Sequence, residues 1–169
     1  MAVPSHLTEA ERALGTLLAS HNDRAEFPAF EVPQLAIVTC MDFRVALRLP
    51  ENFAFVLRTG GANPRPVEPY LAFSVARTNI HALAIIGHTD CAMSEPNPYG
   101  VNNLPASEEL RREYRSSIAA LAVGDAATFA VREAARLQER FGLPVVPLLY
   151  HVEDHRLRRL DPLDPPVTS

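Results

Sequence analysis

Four short runs of apolar residues recur along the chain and predict strands. They cover residues 35–39, 53–57, 82–86 and 145–150, and each is almost wholly apolar instead of alternating with polar positions. Runs of about four to eight such residues are typical of strands that are covered on both faces, as the strands of a parallel sheet are. The pattern therefore predicts a sheet buried between two layers.

The segments around these runs carry apolar residues at helical spacing. Thr8 and Glu11 have the form of a capping box before the first helical segment, while Gly142 and Pro144 follow the last one. Strands that alternate with helices are typical of a three-layer α/β/α fold around a mainly parallel central sheet. The predicted helices cover residues 7–20, 67–78, 106–121 and 125–141.

The first predicted helix, residues 7–20, carries a narrow apolar stripe. Ala13, Leu14, Leu17 and Leu18 lie at helical spacing, and the remaining positions are mostly small or polar. A stripe of this size is small for a lone surface helix. We therefore expect the helix to dock on a partner subunit.

Length and composition predict one domain over residues 1–169, with an irregular tail at 161–169 that contains three prolines. The net charge is −4 and no basic run stands out, so we expect no nucleic acid or membrane partner. No apolar run approaches the roughly 18 residues of a membrane span. Residues 1–20 lack the pattern of a signal peptide. We therefore expect a cytoplasmic protein with reduced thiols.

Both cysteines of the chain lie just after predicted strands. Cys40 follows the first strand, and Cys91 comes three residues after His88, which follows the third. Sites in such sheets form at the carboxyl ends of the strands. Two thiolates and an imidazole are ligands that zinc prefers, and three ligands leave a fourth position open. The sequence thus predicts a Zn²⁺ site. A disulfide or two ordinary buried cysteines are the alternatives, but neither explains His88.

Asp42 and Arg44 follow Cys40 at alternate positions. A carboxylate here can accept a hydrogen bond from a hydroxide on the metal, and an arginine can hold that carboxylate through a bidentate pair. An ordinary surface ion pair, worth little, is the alternative. The position beside Cys40 favours the functional interpretation. Asp90 is expected either to bond a group near the metal or to cap its loop.

These motifs resemble those of the β-class carbonic anhydrases. The shared features are Cys-x-Asp-x-Arg after a strand at residues 40–44 and His-x-x-Cys at residues 88–91. Arg58-Thr59-Gly60-Gly61 is similar to the Arg-Asn-Ala-Gly loop of that family. The resemblance runs from about residue 35 to residue 93 and, more weakly, from 129 to 157.

The resemblance implies reversible hydration of carbon dioxide to bicarbonate by zinc-bound hydroxide. Cys40, His88 and Cys91 would hold the Zn²⁺, and Asp42 with Arg44 would form the catalytic dyad. Family members build their active sites at the interface of a homodimer or higher homo-oligomer, often embraced by N-terminal helices. In some members the aspartate binds the zinc and closes the site, and in others it pairs with the arginine.

Gly60 and Gly61 are candidate substrate-binding residues, because their backbone amides can face an anion. A tight turn is the alternative.

Two departures from the family keep other functions open. Ala92 stands where the family has glycine, which is unfavourable if that position needs a positive φ, and the loop at residues 94–105 is unlike the family's. One alternative is a hydrolase of carbonyl sulfide or carbon disulfide that uses the same site. Another is a non-catalytic zinc-binding module that forms dimers or larger assemblies.

Overall fold

The computed structural model describes residues 8–100, 102–103 and 105–161. Its helices and strands alternate along most of the chain, and the strands form one sheet. The strands are β1 (Leu35–Cys40), β2 (Ala54–Thr59), β3 (Ala82–His88), β4 (Val145–His151) and β5 (Arg156–Arg159). The helices are α1 (Glu9–Asn22), α2 (Glu68–Arg77), α3 (Glu108–Leu121) and α4 (Ala126–Phe141), with single 3-10 turns at Gly60–Ala62 and Arg65–Val67.

The sheet has the strand order β2-β1-β3-β4-β5 and is mainly parallel. Strands β1 to β4 run in the same direction, and β5 pairs antiparallel with β4. Every residue of β1 and of β3 is buried, which explains why the two runs are almost wholly apolar. These two strands form the centre of the sheet.

Side chains that alternate along β1 enter two different cores. Leu35 and Ile37 pack on one face of the sheet with α1 and the segment between β1 and β2. Ala36 and Val38 pack on the opposite face with α2 and α4. The three-layer α/β/α fold predicted from the sequence is therefore confirmed.

The structure also confirms the four predicted strands and the four predicted helices, with boundaries that shift by a few residues. Thr8 and Glu11 form the expected capping box, and Gly142 ends α4 in the left-handed conformation. The predicted tail lies outside the described residues except for Asp161. Strand β5 was missed because Leu157 is its one apolar residue, and a single inward side chain gives no readable pattern.

Helix α1 buries its apolar stripe within its own chain. Ala13, Leu14 and Leu17 are at most 5% exposed and belong to the core on the β1 side of the sheet. The stripe by itself therefore requires no partner, and docking of this helix on another subunit stays a prediction. No helix in the described part of the chain is long and apolar enough to cross a membrane.

A buried carboxylate joins α4 to the turn before α2. Glu133 is fully buried and accepts hydrogen bonds from Arg65 at 3.0 Å and Arg136 at 2.9 Å. Arg136 also bonds Glu68 of α2, which Arg140 contacts at 2.9 Å. Burial alone would raise the pKa of Glu133, but its two arginine partners hold that pKa below the usual 4.5.

We expect Glu133→Gln to lower the free energy of unfolding by about 2 kcal/mol. Removing one partner of a buried ion pair costs more than this, but Arg65 is largely exposed and water screens its share. Glu139→Gln, an exposed change on the same helix, should cost less than about 0.5 kcal/mol.

Urea unfolding at several pH values checks both variants. Because folding lowers the pKa of Glu133, its contribution is present above about pH 4.5 and lost as the pH falls further. The difference in the free energy of unfolding between wild type and Glu133→Gln should therefore become smaller as the pH falls. A difference that stays constant with pH would contradict the ionic role of Glu133.

Candidate metal centre

The ends of two neighbouring strands bring the predicted metal ligands together. Cys40 is the last residue of β1 and His88 the last of β3, and the parallel pairing of these strands places Thr39 opposite Ile86. Cys91 follows in the turn after His88. The three ligand atoms lie within 4.8 Å of one another, and all three residues are buried. One ion can contact all of them.

Gly87 lets α4 approach the strand that carries His88. A Cβ at this position would lie 3.0 Å from the carbonyl oxygen of Ala126, in the first turn of α4. That separation is too short for a relaxed contact with backbone. The glycine before the histidine is therefore a packing requirement of the fold.

The His88 ring is set up to bind a cation through Nε2. Its Nδ1 lies 2.8 Å from the carbonyl oxygen of Thr89, which can only accept, so Nδ1 carries the proton. Nε2 is buried and has no hydrogen-bond partner among the described residues. Such an atom is costly unless something binds it. A hydrogen bond at the second nitrogen is also what metal-bound histidines usually have. The donor set therefore fits a metal ion.

The surroundings of Cys40 favour its thiolate form. The backbone amides of Gly61 and Asp42 lie 3.3 and 3.5 Å from its sulfur. A hydrogen bond from Cys91 is the largest influence, and together these donors lower the pKa of Cys40 to about 4. The pKa of Cys91 is raised, because its thiol is held as that donor. The site thus concentrates negative charge, which a cation would neutralise.

Asp42 and Arg44 form the bidentate pair that the sequence predicted. Arg44 donates from Nε to Oδ1 of Asp42 at 3.1 Å and from Nη2 to Oδ2 at 2.8 Å, and its backbone amide donates to Oδ1 at 2.9 Å. These bonds lower the pKa of Asp42 to about 2. Oδ2 lies 3.8 Å from Nε2 of His88. An ionised carboxylate therefore stands beside the metal ligands while it remains bound to the arginine.

Asp90 holds Arg44 from the other side. Its carboxylate accepts from Nη1 at 2.7 Å and its carbonyl oxygen from Nη2 at 2.9 Å. The residue has φ = 53°, a left-handed conformation that aspartate tolerates. Of the two roles expected for Asp90, the bond to a group near the metal is confirmed. Because it lies 46 positions from Arg44 in the chain, no local pattern indicated which group it would contact.

A residue of β2 forms hydrogen bonds with the backbone of the segment that follows Cys40. Arg58 donates to the carbonyl oxygens of Cys40 and Val45, each at 2.9 Å. Met41 and Phe43, at the positions between the functional residues, point to solvent and are 69% and 92% exposed. The backbone of this segment is therefore held on its inner side, where Asp42 and Arg44 lie.

Gly61 is buried under the site, and Gly60 beside it is half-buried. Gly61 has φ = 63°, and a Cβ there would lie 2.8 Å from the side chain of Val123. Its amide faces the sulfur of Cys40. Ala92 is outside the left-handed region, so the strain that the change from glycine suggested does not arise. Contact of either glycine with substrate stays a prediction.

A cavity of about 880 Å³ opens next to the ligands. His88 and Cys91 form part of its wall, and His151 and Glu153 line it from the end of β4 and the turn that follows. Two of the three candidate ligands, His88 and Cys91, therefore border this cavity.

Comparison with protein-family models and with curated proteins finds no match. Solved structures are similar over nearly the whole chain. A carbonic anhydrase from Glaciozyma antarctica is 23% identical, with a TM-score of 0.63 over 94% of this chain and 98% of that one. A β-carbonic anhydrase from Trichomonas vaginalis is 18% identical, with a TM-score of 0.64 over 95% and 98%. A carbon disulfide hydrolase is 19% identical, with a TM-score of 0.57 over 90% and 89%.

These likenesses define the class of fold. The chain has the α/β fold of the β-carbonic anhydrases, at a level of identity that marks it as divergent from all three structures. Its cysteine and histidine cluster is a candidate metal site at the carboxyl edge of that fold. Since proteins of one fold perform different reactions, the activity has to be argued from the site.

We expect the purified chain to bind one transition-metal ion. Titration with Co²⁺ should give the charge-transfer absorption of cobalt bound to thiolate and saturate at one ion per chain. Cys40→Ser and Cys91→Ser should weaken binding by at least about 100-fold. His151→Gln removes an imidazole from the same cavity and serves as the control, with affinity unchanged. Equal affinity in wild type and Cys91→Ser would contradict this site.

Proposed function

We propose that this chain is a divergent β-carbonic anhydrase, a lyase that catalyses the reversible hydration of carbon dioxide to bicarbonate. Zn²⁺ is the proposed cofactor, and Cys40, His88 and Cys91 are its proposed ligands. When bound, zinc lowers the pKa of water to roughly 7 and so supplies hydroxide at neutral pH.

One observation carries the proposal. The Oδ2 atom of Asp42, held by Arg44, lies 3.8 Å from Nε2 of His88, which has no hydrogen-bond partner in the described part of the chain. A structural metal site needs four protein ligands and no carboxylate fixed beside it. Three ligands with an adjacent carboxylate that is already satisfied by arginine fit a catalytic site better.

Asp42 and Arg44 have separate roles in the proposed reaction. With its pKa near 2, Asp42 is ionised at neutral pH, so it accepts a hydrogen bond from the attacking hydroxyl group and directs the lone pair toward carbon dioxide. Arg44 and Asp90 hold the carboxylate in that direction. We propose that the bidentate pair keeps Asp42 from serving as a fourth ligand, as in the open form of the site.

One other function has support of its own. The similarity to a carbon disulfide hydrolase favours carbonyl sulfide or carbon disulfide as alternative substrates on the same residues. Sulfide release faster than carbon dioxide turnover would identify that activity. A non-catalytic module is less well supported, since Ala92 is unstrained and Asp42 is paired with Arg44.

We also propose a homodimer, located in the cytoplasm, where the thiols stay reduced. Tyr70 and Phe73 lie three residues apart on α2 and are 66% and 59% exposed. Val56, on edge strand β2, is 41% exposed. Exposed aromatic residues are typical of surfaces that pair with another chain, and an exposed edge strand is a second kind of such surface.

Stopped-flow hydration of carbon dioxide by the Zn²⁺-loaded protein tests the activity. Asp42→Asn should lower kcat by about 100-fold or more, because an uncharged amide with one acceptor oxygen and a donor NH2 group replaces the carboxylate that orients the hydroxyl group, while the zinc content stays the same. Asp90→Asn removes a carboxylate that holds Arg44 but leaves the bidentate pair of Arg44 with Asp42. The kcat of this variant should therefore fall by less than about tenfold. Equal rates in wild type and Asp42→Asn would reject the proposal.

The dimer is tested by changing its proposed contact surface. Phe73→Glu should shift the protein from dimer to monomer, because a charge at the centre of an apolar contact is desolvated without a partner. Sedimentation equilibrium measures the mass. Leu110→Glu, an equally exposed apolar position on α3, is the control and should leave the dimer intact. A monomeric wild type would contradict this assembly.

A further inference from the structure

His21 is a buried histidine that the metal site does not use. It lies in the last turn of α1 and is 9% exposed. Its Nδ1 accepts the backbone amide of Arg48 at 3.0 Å, and its Nε2 donates to the carbonyl oxygen of His155 at 2.9 Å. Because an amide can only donate and a carbonyl can only accept, these partners fix one neutral tautomer of the ring.

Arg48 belongs to the segment that carries the Asp42–Arg44 pair. This segment, residues 41–53, connects β1 to β2 without regular structure. Val45 is buried in the same core as the apolar stripe of α1, and Leu47 and Leu49 pack against that core. Helix α1 therefore packs against the segment, and the hydrogen bond between Arg48 and His21 links the two.

A second hydrogen bond is made with the backbone of Arg44 itself. The hydroxyl group of Tyr150 donates to the carbonyl oxygen of Arg44 at 3.2 Å and lies 2.9 Å from Nδ1 of His155. His155 is held with φ = 57°, a conformation uncommon for a residue with a side chain. Its ring contacts the hydroxyl group of Tyr150, and its carbonyl oxygen accepts a hydrogen bond from His21. Both sets of hydrogen bonds therefore include one residue with a strained backbone.

We propose that His21 is a positioning residue for the catalytic pair. By bonding Arg48 and His155 at once, it fixes the segment after Arg44 against α1 and keeps the guanidinium aligned with Asp42. The catalytic part of this inference rests on the proposed function. The structural part concerns contacts of this chain alone and can be tested without activity.

Three variants separate positioning from mere packing. His21→Phe keeps a ring of similar size but removes both hydrogen bonds. His21→Asn keeps an acceptor near the position of Nδ1 and so retains the bond from Arg48. His81→Phe is the matched control, since His81 also contacts α1, through Glu9 at 3.1 Å, but has no hydrogen bond to the 41–53 segment.

Hydrogen exchange of the Arg48 amide, measured by NMR, is the first readout. Loss of one hydrogen bond should speed this exchange about tenfold in His21→Phe, with little change in His21→Asn or His81→Phe. In wild type, the ring nitrogen shifts of His21 should show the tautomer protonated at Nε2. Unchanged Arg48 exchange in a folded His21→Phe protein would overturn the proposal, as would the opposite tautomer.

Carbon dioxide hydration is the second readout. His21→Phe should lower kcat about tenfold at constant zinc content, because Arg44 is displaced from Asp42, and His21→Asn should restore most of the rate. Equal losses in the phenylalanine and asparagine variants would indicate packing alone and overturn the proposal. If wild type is inactive, the proposed function fails, and the exchange and tautomer measurements still decide the role of His21.

Stability against pH is the third readout. His21 faces Tyr150 of β4, His155 and Arg156 around the start of β5, and the Arg48 backbone. Arg156 in turn pairs with Asp23 at 3.5 Å. Burial lowers the pKa of His21 from 6.5, so folding favours the neutral ring.

The contribution of the neutral ring is complete above about pH 6.5 and is lost as the pH falls through the lower, folded pKa. Wild type should therefore lose stability in this range relative to His21→Phe. If the difference in the free energy of unfolding between wild type and His21→Phe is the same at pH 5 and pH 8, the fixed neutral tautomer of His21 is excluded.

Discussion

The parallel pairing of β1 with β3 is the constraint on which the rest of the molecule depends. Both strands are buried on both faces, so their register is set by two cores at once. A slip of one residue would turn every apolar side chain to the opposite layer and separate Cys40 from His88. The position of the candidate metal site is therefore a consequence of core packing and not of bonds within the site.

Charge compensation is the second requirement, and several parts of the fold share it. Two sulfurs and the Asp42 carboxylate lie close together with little access to water. Backbone amides face one sulfur, and Arg44 neutralises the carboxylate. Among the described residues His88 Nε2 has no hydrogen-bond partner, and a cation there would complete the balance. The groups that make the site costly without an ion are therefore the ones that could bind it.

Much of the fold was predictable because local patterns carry it. The continuous apolar runs at 35–39 and 82–86 identified the two central strands, and the capping box at Thr8 located the start of α1. Strand β5 gave no such signal, since Leu157 alone faces the core. The interpretation of α1 as a helix in need of a partner did not foresee that segment 41–53 lies over its apolar stripe. That contact joins parts of the chain that are far apart in sequence.

By itself, the sequence determined the types of residue at the site and the strands that carry them, because ligand chemistry and burial leave traces at fixed spacing. It identified Cys40, His88 and Cys91 as ligand candidates and Asp42 with Arg44 as a pair. Only the tertiary structure decided that Asp90 supports Arg44 from the turn after β3. This contact depends on the distance between side chains at separate strand ends, which folding sets and no local pattern records.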